Sequence, residues 1–167
     1  MNDSIVIDSM REVDWPEVRD IYLEGIAAGN ATFATEAPDW HEWNEKYITV
    51  CRIVAREEGK VIGWAALIPT SSKAAYSGVA ELSIYLSAGS IGKGIGTRLL
   101  KALINNSEAN GFWTLQSGVF PENTASIKLH KKEGFCEVGV RKRIGKLNGR
   151  WRDVVMLERR SEIVGID

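Results

Sequence analysis

Two stretches of the 167-residue sequence carry residue types and spacings suited to chemistry. The first is Ser90-Ile91-Gly92-Lys93-Gly94-Ile95-Gly96-Thr97, set between an apolar stretch and an amphipathic one. Glycines let the backbone turn sharply and come close to a ligand. Free N–H groups at a helix start, with the positive end of the helix dipole, hold phosphate. Lys93 and Arg98 add positive charge. A tight turn with no ligand fits the same glycines, so the loop alone implies no more than a phosphate-bearing ligand. A Walker loop needs Gly-Lys followed by Ser or Thr, and here Lys93 is followed by Gly94. A dinucleotide-binding fingerprint follows the first strand of its fold, whereas this loop lies past mid-chain.

The second stretch is Val79-Ala80-Glu81-Leu82-Ser83-Ile84-Tyr85-Leu86. A carboxylate on an otherwise apolar strand must face water or a cleft, because burying it unpaired is costly. A partly desolvated carboxylate has a raised pKa and suits work as a general base. An exposed strand residue or a structural ion pair explains Glu81 without chemistry. Asn123, further along, opens a helical pattern and is explained by capping alone. His130 is a lone histidine, more often structural than reactive. Ser126 and Lys128 share its helix, and a solvated face accounts for Lys128.

Elements must position these residues. Ile5-Val6-Ile7 reads as a short strand, and Asp14-Trp15-Pro16-Glu17 as a capping box with proline in the first helical turn. Val18, Ile21, Tyr22 and Ile26 follow at helical spacing. Asp39-Trp40-His41-Glu42 reads as a second capping box. Arg52–Arg56 and Val61–Leu67 form a hairpin about Glu57-Glu58-Gly59-Lys60, and Val79–Leu86 is a further strand. After the glycine loop, Leu99, Leu100, Leu103 and Ile104 form the buried stripe of a helix ending at Asn110-Gly111. Trp113–Val119 reads as a strand and Asn123–Glu133 as a helix. Phe135–Arg143 and Arg150–Glu158 flank Asn148-Gly149, a hairpin signal. The order predicts a mixed α/β fold of about seven strands whose central strand–helix–strand unit requires a parallel pair.

Composition narrows the class. Hydrophobic residues make up 44% and charged residues 26%, as in a globular protein. The length predicts one domain over residues 1–167. The formal net charge of −1 gives no global pull toward nucleic acid or membrane. Charge is uneven: residues 1–60 hold 13 acidic and 6 basic side chains, and residues 128–160 hold 4 and 11. A basic C-terminal third attracts a polyanionic ligand, although a solvated surface explains most of it. Two cysteines, Cys51 and Cys136, are too few for a disulfide framework. No His/Cys cluster has metal-ligand spacing, so no metal is expected. The first residues lack a signal-peptide pattern, and no apolar run approaches the roughly 20 residues that cross a bilayer. A cytoplasmic protein is expected.

The glycine loop resembles the Arg/Gln-x-x-Gly-x-Gly/Ala signature of the GNAT superfamily of acyltransferases, with Gly94 and Gly96 as its small residues. It departs from that signature at Ile91, where the family carries Arg or Gln. Cofactor binding is therefore expected to rest on backbone N–H groups from Gly92 to Thr97. The resemblance implies acetyl-CoA between Val79–Leu86 and Trp113–Val119, its pantetheine arm against the backbone of Ile84, Tyr85 and Leu86. It implies cofactor contacts from Asn123 and Ser126. It makes Glu81 the base that generates a neutral amine, and His130 a group that protonates the departing thiolate.

Much of the chain is similar to the phosphinothricin acetyltransferase branch. The motifs are Ala31-Thr32-Phe33-Ala34-Thr35-Glu36, Lys73-Ala74-Ala75-Tyr76, Pro121-Glu122-Asn123, Ser126-Ile127-Lys128-Leu129-His130 and Gly149-Arg150-Trp151-Arg152-Asp153. This resemblance implies an acceptor pocket lined by Phe33, Thr35, Lys73 and Tyr76, a small amino-acid-like amine as substrate, and a homodimer. Lys73 departs from the arginine of that branch and offers a point charge where a planar fork would grip a carboxylate from two sides. Trp151 and Asp153 either shape the pocket or pack a dimer. Acetylation of a protein or peptide N-terminus, a non-catalytic CoA-binding module, and a nucleic-acid binder supported only by the basic C-terminal hairpin are the competing readings.

Overall fold

The computed structural model describes residues 4–167. Seven strands form one sheet: β1 (Ile5–Ser9), β2 (Ile53–Glu57), β3 (Lys60–Pro69), β4 (Val79–Leu86), β5 (Thr114–Val119), β6 (Cys136–Leu147) and β7 (Arg150–Arg160). Their spatial order is β1-β2-β3-β4-β5-β7-β6. Every pair is antiparallel except β4–β5, which is parallel and joined across helix α3 (Ile95–Ala109). Helices α1 (Trp15–Ala28), α2 (Trp40–Lys46) and α4 (Thr124–Lys132) complete the mixed α/β architecture.

The core follows from side-chain alternation along β3, whose residues from Val61 to Leu67 are all buried. Ala65 and Leu67 meet Leu99, Leu100 and Leu103 of α3 on one face. Trp64 and Ala66 meet Val18, Ile21 and Tyr22 of α1, with Trp43 of α2, on the other. Four tryptophans join this second core: Trp15, Trp40, Trp43 and Trp64, with neighbouring ring centroids 5.5–5.9 Å apart. Offset and edge contacts of this kind stabilise beyond area alone.

Local signals explain most boundaries. Asp39 caps α2 by accepting from the Glu42 N–H at 2.8 Å, and Glu42 returns the contact at 3.3 Å. Asn148-Gly149 turns with both φ angles positive, 49° and 79°, as a tight hairpin requires. One boundary corrects the sequence expectation: Asp14 does not cap α1. Its carboxylate accepts from the Arg11 N–H at 2.7 Å and grips Arg56 of β2 with two contacts of 2.7 Å. The arginine fork outcompetes the helix N–H groups because a charged, two-point pair is the stronger contact.

β6 extends four residues beyond its expected end and carries a bulge. Three residues, Lys142, Arg143 and Ile144, stand opposite Asp153 alone. Arg143 takes a left-handed φ of 49°, and its N–H donates to the Asp153 carboxylate at 2.7 Å.

Candidate active site

β4 and β5 pair at only three positions: Val79↔Thr114, Ala80↔Leu115 and Glu81↔Gln116. Beyond Glu81 the strands part, and the β5-facing edge of Leu82–Leu86 has no strand partner. A cleft of about 730 Å³ opens at that point. Its walls come from β4, β5, the start of α4, the cleft face of β6 and β7, and the segment after α1.

Glu81 stands where the strands separate. It is half-buried and lines the cleft, and it has no hydrogen bond or ion pair among the described residues. Loss of water pushes its pKa above the usual carboxylate range, and positive charge from Lys46 and then Arg141 pulls it back down. An unpaired, partly desolvated carboxylate facing a cleft is equipped to accept a proton.

His130 is buried at the cleft wall, on α4. Its Nδ1 lies 2.7 Å from the Ser126 carbonyl oxygen, an acceptor, so Nδ1 carries the proton and donates it. Nε2 then holds a lone pair and has no partner among the described residues. Burial lowers the His130 pKa, against the opposing pull of the Ser126 carbonyl. The neutral ring holds an unpartnered acceptor within the buried cleft wall.

Asn123 does cap α4: its side-chain oxygen accepts from the Ser126 N–H at 3.3 Å. Its amide nitrogen donates to the Asn30 carbonyl at 3.2 Å, tying the segment after α1 to the start of α4. Both Asn123 and Ser126 line the cleft.

The glycine loop connects the end of β4 to α3. Gly92 and Gly94 have φ of 81° and 79°, which explains their identity. The N–H groups of Gly92, Lys93 and Gly94 have no protein acceptor among the described residues. Those of Ile95, Gly96 and Thr97 occupy the first helical turn, where no intrahelical acceptor exists. Gly96 is buried, and a Cβ there would lie 3.2 Å from Leu129 Cδ2, so its small size also lets α4 pack on α3. Lys93 is exposed. Ile84 and Tyr85 line the cleft, whereas Leu86 turns inward against Gly63. These groups fit a phosphate-bearing cosubstrate with an extended amide arm: unclaimed N–H groups at one end and an unpaired strand edge along its course.

The residues expected to line an acceptor pocket divide. Phe33 lines the cleft and meets Phe120 edge-on, ring centroids 4.9 Å apart. Thr35 is exposed and lies outside the lining. Lys73 and Tyr76 sit in the exposed β3–β4 connection, also outside it. Asp153 supports the β6 bulge, and Trp151 is exposed beneath the Lys146 ammonium. Several cleft residues had no sequence signal. Tyr47 meets Ser83 at 3.0 Å, hydroxyl to hydroxyl, with its pKa pushed up to about 12 by burial. Lys46 and Arg141 line the cleft with Glu81. Arg152, a member of the Gly149–Asp153 motif that lies outside the lining, clamps the segment after α1, donating to the Gly29 carbonyl at 2.9 Å and Asn30 Oδ1 at 2.7 Å while covering the Phe120 ring. None of these contacts has a fixed sequence spacing.

The family described as Acetyltransferase (GNAT) family matches residues 9–135. A phosphinothricin N-acetyltransferase of Alcaligenes faecalis is 33% identical over 156 residues, covering 90% of this chain and 79% of that protein. An L-methionine sulfoximine/L-methionine sulfone acetyltransferase of Pseudomonas aeruginosa is 26% identical, covering 87% of this chain and 88% of that protein. A GNAT superfamily phosphinothricin acetyltransferase from Sinorhizobium meliloti, solved in complex with AcCoA, superposes with a TM-score of 0.85 at 30% identity, covering 98% of this chain and 97% of that one.

Proposed function

The chain belongs to the GNAT acetyltransferase family, and from that premise we propose that it transfers acetyl from acetyl-CoA to the amine of a small amino-acid-like substrate of the phosphinothricin or methionine sulfoximine type. Acetyl-CoA supplies the activated acetyl group. The observation that carries the reading is Glu81, unpaired and half-buried where β4 and β5 part.

Amines of amino acids are mostly protonated at neutral pH, and only the neutral amine attacks an acyl carbon. Glu81 takes the ammonium proton, directly or through one water. The N–H groups of Gly92–Thr97 hold the pyrophosphate, and the free edge of Ile84 and Tyr85 aligns the amide arm. Asn123 and Ser126 orient the thioester end. As a thiolate leaves, His130 acts as an acid only in its protonated form, which burial disfavours. The enzyme is read as a single-domain cytoplasmic homodimer that needs no metal.

The test is thiol release from acetyl-CoA across phosphinothricin, methionine sulfoximine, other amino acids, polyamines and short peptides. Turnover with amino-acid-like acceptors is expected. Tight acetyl-CoA binding without turnover of any acceptor overturns the enzyme reading in favour of a binding module. Turnover confined to peptides transfers the assignment to N-terminal acetylation.

A further inference from the structure

The cleft wall carries three formally charged side chains: Lys46, Glu81 and Arg141. They arrive from separate elements. Lys46 ends α2. Its neighbour Tyr47, with the Lys46 ammonium 5.8 Å from the ring centroid, reaches Ser83 on the cleft side of β4. Arg141 lies on β6 immediately before the bulge and pairs with Val154 of β7. Cross-strand partners share a face, and Val154 lines the cleft. The next pair inward, Val140↔Val155, belongs to the opposite face, where Val155 is buried in the core.

Both cations lack an acidic partner. Arg56, Arg152, Arg159, Lys131 and Lys142 each lie within ion-pair distance of a carboxylate, whereas Lys46 and Arg141 do not among the described residues. Glu36 and Glu42 border an adjoining recess that Lys46 also touches, without ion-pairing to it. Two unpaired cations around one base carboxylate give the acceptor end of the cleft a net positive charge at neutral pH.

We infer that Lys46 and Arg141 are specificity residues that hold an anionic group of the acceptor from two sides while its amine faces Glu81. The inference rests on the acetyltransferase reading above. The arrangement complements a zwitterion: the carboxylate accepts the ammonium proton, and the cations hold the acceptor's own carboxylate or phosphinate. A polyamine brings a second positive charge toward Lys46 and Arg141. A peptide N-terminus lacks the neighbouring carboxylate. Neither cation stands at a position that the sequence motifs marked.

The test compares methionine sulfoximine with its carboxamide, which keeps the amine and removes the anion. Lys46→Met and Arg141→Gln are assayed with both, each relative to wild type, so that the different amine basicities cancel. Each variant is expected to lower kcat/KM for the acid roughly tenfold through KM, as for loss of a charged hydrogen bond. The loss for the acid is expected to exceed that for the amide at least fivefold, and Arg141→Lys to recover part of it. Equal losses on acid and amide, or none on either, overturn the inference. Should wild type acetylate neither compound, the enzyme reading fails for this acceptor class, and calorimetric titration into the CoA-loaded protein decides the anion site separately. Acid binding that the variants weaken supports it. No acid binding, or binding the variants leave equal, overturns it.

Discussion

The Nδ1 of His130 lies 2.7 Å from the carbonyl oxygen of Ser126, one helical turn earlier. That contact assigns the tautomer: Nδ1 bears the proton and Nε2 the lone pair. Because burial lowers its pKa, the ring is expected to titrate below 6.5, its ordinary value. The sign follows: His130 contributes full stability above about pH 6.5 and loses it as pH falls through that region. Nitrogen NMR of the histidine ring checks both points. A protonated ring at pH 7 would restore His130 as a general acid.

If Glu81 is the base proposed above, Glu81→Gln removes its proton-accepting carboxylate while keeping the size. A fall in kcat of about 10²- to 10⁴-fold is expected, with acetyl-CoA affinity retained. The wild-type rate should decline as pH drops through the raised Glu81 pKa. In Lys46→Met and Arg141→Gln that acidic limb should move to higher pH, because each lost cation had been lowering the pKa. A full pH–rate profile measures it.

Gly145 packs against Phe33: a Cβ there would lie 2.9 Å from the outer ring carbons. Gly145 has no left-handed φ, so the contact is the constraint. In Gly145→Ala the ring is expected to swing aside, disturbing its edge contact with Phe120. Stability should fall by about 1 kcal/mol, while KM for the acceptor rises severalfold. Chemical denaturation and steady-state kinetics separate the two effects.

Asp14→Asn breaks a buried ion pair, its side chain and that of Arg56 only 4% and 10% exposed. A loss of roughly 3–5 kcal/mol is expected, since Arg56 stays buried with Asp8 as its one remaining carboxylate among the described residues. The Arg56 hydrogen bond holds the Asp14 pKa below 3.8. A depressed carboxylate contributes its stability above the unfolded value and loses it as pH falls through the folded one. The wild-type protein should therefore lose this contribution below about pH 4, and Asp14→Asn should not. Thermal unfolding against pH tests this.

Periodicity and turn chemistry act within a few residues, so elements were legible in the chain itself. The Val79–Leu86 strand, the α2 capping box, the Asn148-Gly149 hairpin and the α3 stripe all appear in the structure as read. The parallel β4–β5 pair followed from the strand–helix–strand order. Asp14 departed because its preferred partner, Arg56, is 42 positions away, beyond any local rule. Phe33 lines the cleft and Lys73 and Tyr76 do not, a division that motif likeness does not encode.

Residue type alone marked Glu81 as a carboxylate out of place on an apolar strand. Only the tertiary structure decided that it is unpaired and faces a cleft beside Lys46 and Arg141. Those three residues lie 35 and 60 positions apart in the chain. Their convergence depends on where α2 ends, where β4 leaves β5, and which face of the β6–β7 ladder Arg141 occupies. Register along a strand reverses a side chain's face with a shift of one residue, so sequence spacing carries no record of that meeting.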